Sequence, residues 1–131
     1  MTRDTRQRRA IRSVFADADG PLGPQEVLDL AQHDVPGIGL ATVYRTIKLM
    51  LEDQELSAVE LPGEPSRYEP ASRAQNHHHF FKCEDCGRVF EIQGCGVADP
   101  DSLTPPEFSV NRHELVLYGT CNRENCQHRS N

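Results

Sequence analysis

The sequence contains no tryptophan, two methionines and three tyrosines, and hydrophobic residues make up only 37% of its 131 positions. A chain this short and this poor in large apolar side chains has little to build a core from. Such chains commonly rely on a metal or a partner subunit. No apolar run approaches the ~18 residues of a membrane-spanning helix, so no membrane partner is expected. Met1 is followed by TRDTRQRR and not by an apolar stretch, so no secretory signal is expected and the cytoplasm is the expected location. There, five cysteines read as metal ligands or redox thiols sooner than as disulfides.

Positive charge is scarce outside the start of the chain. Residues 1–48 hold seven Lys/Arg and six Asp/Glu, a net of +1, whereas residues 49–131 hold seven and fourteen, a net of −7. Arg3, Arg6, Arg8, Arg9 and Arg12 account for most of the difference. A basic arm on an acidic protein points toward nucleic acid, although a solvated helix face has the same composition.

The first half has helical periodicity. Over residues 6–16, Ala10, Ile11, Val14 and Phe15 share one side, and Asp19-Gly20-Pro21 closes the segment. A second helix is expected over residues 24–32 and a third over residues 40–52. In the third, Leu40, Val43, Ile47, Met50 and Leu51 form one stripe; Thr42 and Arg45 lie opposite it, with Tyr44 and Lys48 on its flank. LSAVEL, PGEPS and RYEP then read as a hairpin with a loose tip. Three helices and a hairpin make a winged helix-turn-helix, in which the third helix meets phosphates and base edges in the major groove. The bland alternative is a helical subdomain with a solvated helix.

The second half reads as short strands over residues 77–82, 89–92, 107–110 and 114–118, interrupted by a Pro-rich insert. The chain is thus expected to be of α+β (α/β) class. Residues 1–70 form the winged-helix domain, 71–76 the linker and 77–131 a metal-binding domain.

Cys83-x-x-Cys86 and Cys121-x4-Cys126 are two knuckles about 35 residues apart. Together they can close a tetrahedral site on structural zinc, with metal–sulfur bonds of ~2.3 Å. Gly87 suits the tight turn that aims backbone N–H groups at the sulfurs. The alternatives are a redox pair or free thiols. Cys95, between two glycines, is left over as an exposed loop thiol.

His77-His78-His79 precede the first knuckle. Side chains alternate along a strand, so His77 and His79 should face one way and His78 the other, which implies two metal sites. Glu69, Glu91 and His113 are candidate co-ligands. Mixed imidazole and carboxylate ligation suits Fe(II), Mn(II), Zn(II) or Co(II) without selecting among them.

TRQRRAI, GIGLATVYRTI, HHHFFKCEDCGRVFEI and HELVLYGTCNRENC together resemble the ferric uptake regulator family of metal-dependent transcriptional repressors, over nearly the whole chain. The resemblance implies a homodimer with a winged-helix domain, a small C-terminal α/β dimerisation domain and no enzymatic activity. It implies that Cys83, Cys86, Cys121 and Cys126 hold structural zinc and that Tyr44 and Arg45 contact palindromic, double-stranded operator DNA. It puts Glu69, His78 and Glu91 in a regulatory site, and His77, His79 and His113 in a third site with Asp99 or Asp101.

The sequence departs from the family pattern in three ways. The family's histidine before the second helix is missing from ADGPLGPQE. Phe80 stands where a ligand histidine is usual, so a register shift would bring His79 into the regulatory set. Pro100, Pro105 and Pro106 shorten the dimerisation helix. Glu69, where zinc sensors recruit Cys, and Glu91, where peroxide sensors usually carry Asp, favour Fe(II) or Mn(II) as the corepressor. The alternatives are a zinc or peroxide sensor of the same family, or a zinc-ribbon protein-interaction module without DNA binding. A hydrolase using His77, His79 and His113 on zinc lacks a second catalytic group.

Overall fold

The structure, a computed structural model, describes residues 5–74, 78–123 and 126, and its chain divides into two compact units, 1–76 and 77–131. His77 lies outside the described residues.

The first unit contains α1 (Arg6–Asp17), α2 (Pro24–Ala31), α3 (Leu40–Glu52), β1 (Leu56–Val59), β2 (Arg67–Pro70) and the single turn α4 (Ala71–Ala74). Thr5 caps α1 by accepting a hydrogen bond from Arg8 N at 3.1 Å. Pro24 begins α2, where its fixed φ and missing N–H cost nothing, and Glu26 reaches back to accept from Gly23 N at 2.9 Å. The apolar stripes converge: Ile11, Phe15, Val27, Ala31, Val43, Ile47, Met50 and Leu56 are all buried. Leu40, assigned to the stripe by periodicity, is exposed instead, and Thr46 is buried beside Ile47. Leu40 is the first residue of α3, and there the helix has not yet turned its stripe onto the core.

The hairpin forms as expected, with Ser57 opposite Glu69 and Ala58 opposite Tyr68. Leu22 joins it as a third line of pairing, exchanging two 2.9 Å backbone hydrogen bonds with Tyr68. Arg67 ties the hairpin to α2 through Glu26 at 2.6 Å and to the hairpin tip through Glu64 at 3.0 Å. The first residues of the segment read as a linker are helical. Ala71–Ala74 form a helical turn, and Arg73 donates to the carbonyls of Ala16 (2.8 Å) and Ala18 (2.9 Å) at the end of α1. Those carbonyls have no intrahelical partner, which is what a cation at a helix C-terminus satisfies.

The second unit is a three-stranded sheet of order β4-β3-β5, built from β3 (His79–Cys83), β4 (Val89–Ile92) and β5 (Val116–Gly119). β3 and β4 are antiparallel and place Phe80 opposite Glu91; β3 and β5 are parallel and place Cys83 opposite Gly119. The strand expected at 107–110 does not form: Glu107 sits in a turn at φ 78°. Pro100–Leu103 makes one 3-10 turn, and its Asp101 Oδ1 accepts from Val110 N at 2.7 Å.

Candidate metal centres

The β3–β4 turn presents the first cysteine knuckle. Gly87 takes φ +79°, a conformation that a side chain resists, and its N–H closes the turn on Cys83 O at 2.9 Å. β5 then delivers the second knuckle beside the first. The Sγ atoms of Cys83, Cys86, Cys121 and Cys126 all lie within 4.8 Å of one another. Cys83 and Cys126 are 3.6 Å apart and Cys86 and Cys121 3.9 Å. Four sulfurs on a tetrahedral ion with ~2.3 Å bonds stand about 3.8 Å apart, so the set matches a tetrathiolate cage.

The electrostatics suit the same purpose. Burial alone raises the Cys83 thiol, but N–H groups led by that of Cys121 and then Cys86 outweigh it and lower its pKa to about 6. Both N–H groups lie 3.4 Å from Cys83 Sγ. Cys86 is likewise raised by burial and lowered, on balance, by hydrogen bonds from Arg88. Cys126 goes the other way, held protonated by its hydrogen bond to Cys121 and by burial. Sulfurs that share protons in this way release them when a divalent cation takes their place.

The histidines separate as alternation predicts. His78 directs Nδ1 toward Glu91 Oε1, 3.7 Å away, and its ring packs edge-on against Phe80 at 5.0 Å. His79, only 2% exposed, goes to different neighbours: its Nε2 is 3.2 Å from His113 Nε2 and 3.3 Å from Cys95 Sγ. His79 therefore belongs with His113, and not with His78. Two details go beyond the sequence reading. Cys95 is the exposed loop thiol expected, but its Sγ lies beside His79 and His113, so the three form one cluster of potential donors. Neither Asp99 nor Asp101 joins that cluster, and Asp101 is engaged with Val110. Sequence reasoning missed Cys95 because its only local signal, Gly-Cys-Gly, describes a loop and says nothing of where the loop returns.

In the first unit, Glu69 is buried on β2, at 4% exposure. On α3, Val43, Ile47 and Met50 face the core, while Tyr44, Arg45 and Lys48 are exposed and Thr42 is half-buried. Arg45 Nη2 donates to Thr42 Oγ1 at 3.3 Å, which holds the guanidinium along the helix. Not all of the basic arm is available to a ligand: Arg6 donates to Asp34 O at 2.9 Å and Arg12 pairs with Glu55 at 2.9 Å. Arg9 is exposed and Arg8 half-buried.

The family model described as "Ferric uptake regulator family" matches residues 1–118. The ferric uptake regulation protein of Bacillus subtilis is 32% identical over 125 residues, covering 92% of this chain and 84% of its own. Among solved structures, a zinc-bound manganese uptake regulator superposes with a TM-score of 0.79 at 26% identity, covering 92% of this chain and 91% of its own. The Vibrio cholerae ferric uptake regulator superposes at 0.64 with 26% identity, over 89% and 90% of the two chains. This likeness carries the family's architecture, an N-terminal winged helix and a C-terminal dimerisation domain. Family members bind DNA and form dimers. With a family match over most of its length and the helix and cysteine geometry above, this chain belongs to the ferric uptake regulator family, whose members are metal-responsive transcriptional regulators and not enzymes.

Proposed function

We propose that this chain is a homodimeric repressor that acts in the cytoplasm and binds double-stranded operator DNA when a regulatory metal is present. The observation that carries the reading is α3: its buried stripe fixes the helix to the core, and Thr42, Tyr44, Arg45 and Lys48 remain on the other side. Hydroxyl and guanidinium groups so placed suit phosphates and base edges. Arg8 and Arg9 add sequence-independent attraction to the backbone. A protein-interaction module without DNA binding would leave this face without a purpose.

The four cysteines are proposed to hold structural zinc, for which their spacing is suited. His78 and Glu91 are proposed as regulatory ligands, an imidazole and carboxylate pair suited to Fe(II) or Mn(II). β5 is an edge strand with Leu117 and Tyr118 exposed, and Leu103 and Phe108 are exposed in the same unit, which supports a second copy as the partner. Metal can act as corepressor only by binding the DNA-competent arrangement more tightly than the other; a shift from 1:99 to 99:1 takes ~5.5 kcal/mol of difference. The test is operator titration with zinc-retaining, otherwise metal-depleted protein, adding Mn(II), Fe(II) or Zn(II) in turn. Operator affinity that rises with Fe(II) or Mn(II) supports the reading, and affinity indifferent to every metal refutes it.

A further inference from the structure

We propose that Cys95 is a metal ligand, and that His79, Cys95 and His113 form a two-nitrogen, one-thiolate site for a divalent cation of the zinc and cobalt class. Three donor atoms from three separate segments converge here: His79 from the start of β3, Cys95 from the loop after β4, and His113 from the approach to β5. Their separations are nearly equal, 3.2 Å for His79–His113, 3.3 Å for His79–Cys95 and 3.2 Å for Cys95–His113. A hydrogen bond needs one donor pointed at one acceptor. Here each of the three atoms lies within 3.3 Å of both of the others, a mutual approach that one shared cation satisfies at once. Donors on a tetrahedral ion with metal–nitrogen bonds of ~2.0–2.1 Å and a metal–sulfur bond of ~2.3 Å stand roughly 3.3–3.6 Å apart. The cluster matches one face of that tetrahedron to within a few tenths of an ångström.

The surroundings are compatible with exchange of a metal. His79 is buried and fixed by the β3–β4 pairing, whereas Cys95 is exposed and its Sγ has one further contact, Val97 O at 3.6 Å. Gly94 takes φ +75°, which lets the loop fold back immediately before Cys95. A thiolate in place of a carboxylate changes the ion the site selects. Sulfur with two imidazoles favours Zn(II) or Co(II) and disfavours Mn(II) and Mg(II), which prefer oxygen. The site is distinct from the His78–Glu91 pair and does not depend on DNA binding, so its failure and the failure of the repressor reading are separately observable.

The test uses the full chain with the four-cysteine zinc retained. Cobalt(II) is added and the near-ultraviolet thiolate-to-cobalt charge-transfer band is followed, with zinc content measured alongside. Wild type should gain the band and bind cobalt without losing zinc; cobalt taken up by the His78–Glu91 pair adds no thiolate band. Cys95→Ala should lose the band and keep its zinc, and His113→Ala should weaken cobalt binding together with the band. Cys95 alkylation by iodoacetamide, mapped by mass spectrometry, should slow with added Zn(II) or Co(II) and stay unchanged with Mn(II). An undiminished band in Cys95→Ala, a band in His113→Ala equal to that of wild type, or equal protection by Mn(II) would each overturn the assignment.

Discussion

His78 Nδ1 stands 3.7 Å from Glu91 Oε1, on the strand that pairs beside it, while the next residue in the chain, His79, meets His113 and Cys95. Two neighbouring histidines thus meet two different sets of side chains. The cause is the two-residue period of an extended chain. It suggests substitutions that separate the two sets.

His78→Ala should leave a folded protein with its structural metal and should abolish metal-dependent operator binding. His79→Ala should instead reduce metal stoichiometry at the Cys95 cluster and give a weaker defect on DNA. Parallel metal analysis and operator titration distinguish them. Identical behaviour of the two variants would mean that the histidines share one site.

Cys121→Ser should remove a ligand whose own N–H also lies 3.4 Å from Cys83 Sγ. A structural zinc can contribute on the order of 10 kcal/mol to a small domain at neutral pH. The variant should therefore lose zinc and unfold the second unit, as read by zinc content and circular dichroism. Retained zinc with a native spectrum would argue against a four-thiolate site.

Gly87→Ala should weaken the same knuckle by a different route. The residue would be held at φ +79°, a left-handed conformation that costs a non-glycine residue about 1–2 kcal/mol. Zinc affinity in a chelator competition should drop by roughly tenfold, with all four sulfurs still present.

Arg45→Ala should weaken operator binding by ~1–3 kcal/mol and relax sequence preference if its guanidinium reads a base. Arg9→Ala should lower the salt slope by about one and leave preference unchanged. Fluorescence anisotropy at several salt concentrations separates the two effects. Unchanged affinity in Arg45→Ala would remove that residue from the interface.

Much of this molecule was legible in its sequence because much of it is local. The period of Val43, Ile47 and Met50 located α3, and the observed helix, Leu40–Glu52, has the expected bounds. Val89–Ile92 was equally plain, since alternation and a preceding Gly turn are properties of a few adjacent residues. The two cysteine knuckles were found by spacing alone, because chelate geometry restricts how far apart ligands can sit in a turn.

What local reasoning could not reach was decided by pairing between distant segments. Glu107 sits in a turn where β-propensity suggested a strand: at φ 78° its backbone lies outside the extended region, and Pro105 and Pro106 remove two backbone donors just before it. His113 meets His79 only because β5 runs parallel to β3, with Val116 opposite Phe80. Cys95 reaches both only because the loop after β4 turns back at Gly94. The sequence by itself determined the spacing that brings the four cysteines together and the opposite facing of His78 and His79, since these follow from turn geometry and a two-residue repeat. Only the tertiary structure decided that a cysteine in a featureless loop stands 3.2 Å from a histidine 18 residues away, because that distance depends on sheet register and loop closure, which no window of neighbouring residues encodes.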